Sequence, residues 1–287
     1  MRGHRLWSTV VTSTIAVLTL ATGCGSSTPD RADSPPASTQ TTRAAISGTF
    51  TANGHELYLE CVGSGTPTMV LEVGEARLHG DLVKIQDAYK PRLRVCSYDR
   101  AGKGASGPAA TPRKGADIAA DLHDLLEVAK VPGPYLLVGH SAGGLIAQAY
   151  AARYPDDVVG LVAINPVAPW KPWIPVMAKM SAKDRRSEVA FLTGNNGESL
   201  DYRDIGRPVE AGLAKQIPSY VLVSSPAECP PDQESCPTMI RQYDTVERQL
   251  AHHWGAGFKI VDASHDIHFD DLDAVTAAID YVLVRTN

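Results

Sequence analysis

The chain has 287 residues, 44% of them hydrophobic and 21% charged, with a formal net charge of −5. That length is enough for one large core, and an α/β domain of this size need not be split. Lysine and arginine never cluster beyond short pairs, which argues against a nucleic-acid surface and leaves small-molecule or lipid-like partners open.

Residues 1–23 read as a leader. Arg2, His4 and Arg5 make a basic start, Leu6 to Ala21 carry no charge, and "LATGC" follows at Leu20 to Cys24. A basic n-region, an apolar h-region and small residues before a cut describe a secretory signal, and the apolar stretch is marginal against the roughly 20 residues of a membrane-spanning helix. The cysteine after Thr22-Gly23 resembles the lipobox of bacterial lipoproteins, which implies lipidation of Cys24 and an exported, membrane-anchored protein. An ordinary signal peptide with a stray cysteine is the plainer alternative. Residues 24–45, rich in Ser, Thr, Pro and Ala, cannot bury enough apolar surface to offset their ordering entropy and read as a disordered tether.

Residues 46–287 are expected to form one α/β domain. "ELYLECVG" (Glu56 to Gly63), "TMVLEVG" (Thr68 to Gly74) and "RLRVCSYD" (Arg92 to Asp99) have strand-like composition. "DIAADLHDLLEVAK" (Asp117 to Lys130) has apolar residues at helical spacing. "YLLVG" is a short buried strand, "GLIAQAYAARYP" (Gly144 to Pro155) a helix ended before its proline, and "VVGLVAIN" (Val158 to Asn165) a strand again. The pattern breaks over 166–217, a proline-bearing stretch read as a cap. It resumes with the strand "SYVLVSS", a helix near Thr238 to His253, the strand "FKIVDAS" and a last helix from Asp271 to about Leu283. Strands alternating with helices imply crossovers and a mainly parallel sheet, with the cap over its C-terminal edge, where such sheets bind ligands. Of the four cysteines beyond Cys24, Cys61 and Cys96 lie in strand-like runs, while Cys229 and Cys236 flank "PPDQES". In an oxidising compartment they can form two bridges, with three pairings open. Zinc is the competing reading, but no C-x-x-C pair supports it.

The chemistry centres on Gly139-His140-Ser141-Ala142-Gly143, a G-x-S-x-G pentapeptide between a strand and a helix. A serine there sits on a sharp turn that lifts its hydroxyl above the sheet edge, and small residues two before and two after let the backbone close. With this elbow, "YDRAGKGAS" (Tyr98 to Ser106), "VLEVGEA" (Val70 to Ala76) and "DASHDIHFDD" (Asp262 to Asp271), the chain from Ile46 onward resembles the α/β-hydrolase superfamily. The resemblance implies Ser141 as nucleophile and His265, just after the last strand, as its base. His268 is the rival base, and a "HDIH" metal pair is the other reading, for which no further ligand spacing speaks. The resemblance places the acid after "SYVLVSS", where Glu228 is the first candidate and Asp232 the second. Some members carry it at the end of the preceding strand, where this chain has Asn165. The oxyanion donors would be the backbone N–H groups of Ala142 and Glu75; an anionic side chain at 75 is unhelpful there unless it points away. Trp170, Trp173 and Met177 are read as cap-packing residues, with lining of an acyl pocket as the alternative.

The expectation is a membrane-tethered serine hydrolase acting on small-molecule or lipid-like carboxylic esters through an acyl-enzyme, with no metal or organic cofactor implied. An amidase or peptidase, a cofactor-free perhydrolase, and a catalytically silent binding protein of the same fold are the alternatives.

Overall fold

The computed structural model describes residues 45–213, 215–225 and 234–286. The leader, Cys24, the tether, Glu228, Cys229 and Asp232 lie outside the described residues. Eight strands make one sheet: β1 (Ile46–Ala52), β2 (His55–Val62), β3 (Thr68–Glu72), β4 (Val95–Tyr98), β5 (Tyr135–His140), β6 (Val158–Ile164), β7 (Ser219–Ser224) and β8 (Gly257–Val261). They run in the order β1-β2-β4-β3-β5-β6-β7-β8. From β4 to β8 every pairing is parallel; β1 with β2, and β2 with β4, are antiparallel.

The sheet is covered on both faces, which explains why β5 is an unbroken apolar run rather than an alternating one. Successive side chains of a strand point to opposite faces. Leu137 therefore joins one core with Leu122, Leu145 and Tyr150, while Leu136 and Val138 join the other with Ile85, Val275 and Ile279. The helices supplying these layers are α1 (Val83–Tyr89), α2 (Gly115–Val128), α3 (Ala142–Arg153) and α9 (Leu272–Leu283). Helix α3 is buried almost all round.

Strand β1 was not anticipated from periodicity. Its signal is the two-residue turn Asn53-Gly54, with φ of 47° and 79°, the hairpin sequence whose left-handed backbone matches strand twist. Three further helices, α4 (Trp170–Met177), α5 (Ala182–Leu192) and α6 (Tyr202–Ala211), lie between β6 and β7, and α7 (Cys236–His253) and the one-turn α8 (Ile267–Asp270) flank β8. Cys61 and Cys96 face each other in the β2–β4 register and are disulfide-bonded. Cys236 is also disulfide-bonded.

Candidate active site

Strand β5 delivers the chain to Ser141, and α3 carries it away. Ser141 has φ 54° and ψ −121°, a left-handed conformation that costs a non-glycine residue of order 1–3 kcal/mol and is held only where the surroundings impose it. They do: its N–H donates to the Ile164 carbonyl at 2.9 Å, and its carbonyl accepts from Gly144 and Val167. A Cβ at Gly139 would stand 2.3 Å from the Gly143 oxygen, and one at Gly143 would stand 2.1 Å from the Glu72 oxygen. Both glycines are therefore demanded by backbone contact, and Gly143 is what lets the end of β3 lie against the elbow. Ala142 is fully buried in the first turn of α3, where backbone N–H groups have no intrahelical acceptor.

The segment after β3, expected to offer the second N–H, is clamped from both sides. Arg100 uses all five of its donors, to Glu72, the Val73 and Gly74 carbonyls, and both oxygens of Glu198. Glu198 also accepts the Ala76 N–H at 2.7 Å, steadying a residue with φ 55°. In return Glu75 accepts the Gly197 N–H at 2.6 Å and the Tyr202 hydroxyl at 2.8 Å. The acidic side chain at 75 thus points into the cap, and only its backbone is left for an oxyanion. Burial lifts Glu72 to about 7 despite Arg100 and Tyr98. Burial also opposes ionisation of Glu198, but Arg100 and the Ala76 N–H hold it below the usual carboxylate range. Arg100 stands in the D-R-x-G-x-G-x-S motif, but Glu198 carried no sequence signal, because its partners lie more than 90 residues away.

Ser141 and His265 line one cavity of about 890 Å³. Its walls are largely apolar, from Val167, Trp173, Phe191, Leu192, Met239 and Tyr243, with Glu188 and Asp244 among them. Trp173 is the member of the expected cap trio that lines it, its indole N–H donating to Glu188 at 2.8 Å; Met177 is buried in the core cluster, with Trp170 half-buried against it. The cavity wall strips enough water from the His265 ring to hold it below the ordinary histidine value; the Asp266 charge opposes this and the Arg77 charge adds to it. The lowering favours the neutral imidazole, the form a general base starts from.

Among the described residues, the partner of His265 is Asn165, Nδ2 to Nδ1 at 2.7 Å. The orientation of that amide follows from chemistry. The Ser224 N–H, which can only donate, meets Asn165 Oδ1 at 3.1 Å. The amide NH₂ therefore faces His265, so Nδ1 accepts and the ring proton sits on Nε2. Asn165 itself is left-handed, φ 47°. His140, buried beneath the elbow, donates Nε2–H to the His265 carbonyl at 3.1 Å. Burial first, then the neighbouring His268 and His265, push it down to about 3. His268 is fully buried, does not line the cavity, and packs its ring at a tilt against that of His140, 4.5 Å between centroids.

Residues 81–202 match a family model described as the alpha/beta hydrolase fold. A pimeloyl-[acyl-carrier protein] methyl ester esterase of Chromobacterium violaceum is 40% identical over 112 residues, 38% of this chain and 41% of that one. Lipase LipV of Mycobacterium tuberculosis is 32% identical over 111 residues, 39% and 42% of the two chains. An AB hydrolase superfamily protein of Gibberella zeae is 35% identical over 103 residues, 34% and 32% of the two. The chain therefore matches less than half the length of each of these relatives. Among solved structures, an enol-lactonase of Burkholderia xenovorans superposes with TM-score 0.60 at 21% identity, covering 82% of this chain and all of that one. A hydrolase of Pseudomonas aeruginosa gives 0.61 at 18%, covering 84% and 99%. The fold is the α/β-hydrolase fold.

Proposed function

We propose that the protein is a serine hydrolase that cleaves carboxylic esters through an acyl-enzyme. The observation that carries this is Ser141, on a left-handed strand-to-helix turn, sharing one apolar cavity with His265. Ser141 attacks the ester carbonyl and His265 takes its proton. The backbone N–H groups of Ala142 and Glu75 receive the oxyanion, His265 returns the proton to the leaving alcohol, and water releases the acyl group by the same route. The apolar walls suit an acyl chain of several carbons, and the esterase and lipase among the partial relatives agree with this substrate class. To act as base, His265 must present a bare Nε2 and a protonated Nδ1. That requires a carboxylate at Nδ1 in place of the Asn165 amide, and Glu228, with Asp232 second, supplies it. The protein works at the cell envelope, exported and anchored through a lipid on Cys24. Among the described residues no helix is long and apolar enough to cross a membrane.

A fluorophosphonate probe labels wild type and not Ser141→Ala, and p-nitrophenyl esters of graded chain length then give the acyl preference. A folded wild type that stays unlabelled sinks the reading. It would favour the second one, a silent ligand-binding protein, which the neutral Asn165 beside His265 supports.

A further inference from the structure

Beneath the elbow lies a polar cluster that the proposed chemistry does not use. Five buried side-chain nitrogen and oxygen atoms here have no hydrogen-bond partner among the described residues: Asp81 Oδ2, His140 Nδ1, Asp266 Oδ1 and both ring nitrogens of His268. Buried polar atoms are rarely left so, and five in one place ask for a ligand. Their chemistry says which kind. His140 donates Nε2–H to the His265 carbonyl, so its Nδ1 is a bare lone pair. Arg77 donates to one oxygen of Asp81 and one of Asp266, at 3.1 Å each. The other oxygen of Asp81 lies 3.5 Å from His268 Nε2 and that of Asp266 3.6 Å from His140 Nε2, whose proton is already given to the His265 carbonyl, so one His268 N–H faces several acceptors. His268 has one N–H to offer and one further lone pair. The cluster is thus an excess of acceptors.

We propose that Asp81, His140 and His268 bind a divalent transition-metal ion of the zinc type. One ligand atom from each lies within 4.8 Å of the others. His268 Nε2 and Asp81 Oδ2 are 3.5 Å apart, close to the edge of about 3.4 Å in a tetrahedron with metal–ligand bonds of about 2.1 Å. Two imidazoles and a carboxylate are ligands of the right softness. The outer shell is present too: His140 keeps its far nitrogen on a backbone carbonyl, with Asp266 Oδ1 3.6 Å from that nitrogen, the partners that orient metal-bound histidines. A Cβ at position 74 would stand 3.1 Å from His140 Nδ1, so Gly74 keeps the approach to that lone pair open. Two carboxylates against one guanidinium leave a net charge of −1 facing the ion. The site ties α8, just after His265, to the end of β5 that leads into Ser141, and it does not depend on Ser141 being a nucleophile.

The full chain, freed of metal with a chelator, is titrated calorimetrically with Zn²⁺ and followed by Co²⁺ absorption. One ion per chain is expected, with tetrahedral Co²⁺ bands and a melting temperature that rises with Zn²⁺. Asp81→Asn and His268→Gln each weaken binding at least tenfold. His123→Ala, in the partly exposed His123, Asp124 and Glu127 group, leaves it unchanged. If His268→Gln fails to fold by circular dichroism, Asp81→Asn decides. No stoichiometric binding, or binding that His123→Ala removes and Asp81→Asn does not, overturns the proposal.

Discussion

Two polar clusters flank Ser141, and they are built on opposite plans. On the oxyanion side, Arg100 spends five donors on acceptors fixed by β3 and the cap, and Glu75 and Glu198 exchange backbone N–H groups across the same boundary. On the histidine side, His265 leans on a neutral amide, and five buried atoms beneath it have no hydrogen-bond partner among the described residues. A satisfied buried network specifies one geometry, whereas a partly satisfied one is costly by itself. The difference teaches a division of labour. The backbone proposed to receive the oxyanion charge is fixed in advance, while the histidine proposed to move protons keeps capacity for a ligand or a carboxylate.

The sharpest way to break this comparison is Arg100→Met. It leaves Glu72 and Glu198 buried without their counter-ion and is expected to cost about 3–5 kcal/mol in urea unfolding. Glu198→Gln, which keeps the shape and weakens the clamp, should lower kcat by more than it raises KM. A loss under about 1 kcal/mol for Arg100→Met would mean that the clamp is redundant.

A carboxylate with neither plan marks the next step down. Glu247 is fully buried, and its Oε1 has no partner; burial alone raises its pKa from 4.5 to about 8. The folded state therefore holds a proton that the unfolded chain has released between those values. Stability falls as pH rises from about 4.5 to 8 and is flat in this respect above it. Each unit of pKa difference is worth about 1.4 kcal/mol, so a change of up to about 5 kcal/mol is expected in melting or urea curves across that window. Glu247→Gln should flatten it; an unchanged slope would assign the pH dependence elsewhere.

The smallest effect is the most informative about the histidine side. Asn165→Asp places an acceptor at His265 Nδ1 and moves the ring proton there, while its second oxygen still receives the Ser224 N–H. In a Glu228→Gln background it should restore ester hydrolysis at least about tenfold, or roughly 1.4 kcal/mol of transition-state stabilisation. If Asn165→Asp restores nothing where Glu228→Gln has lost activity, position 165 does not control the tautomer.

Much of the fold was legible along the chain. The elbow glycines, the uninterrupted run of β5 and the amphipathic α2 each follow from neighbours a few residues apart, where strand and helix periodicity operate. The Cys61–Cys96 bridge was one of three open pairings, and register chose it. The hairpin turn Asn53-Gly54 is a local signal of the same kind. Other features had no local trace. That Glu75 turns its charge into the cap depends on Gly197 and Tyr202, and that Asn165 meets His265 depends on residues 100 positions apart.

Where a serine could be strained into use is legible along the chain, because a strand, two glycines and a helix are contiguous and their sterics are local. What surrounds that serine is set by the folded arrangement. Hydrogen bonds and ligand sets join atoms by distance in space, and Asp81, His140 and His268, or Glu75, Arg100 and Glu198, become neighbours only after the sheet has formed.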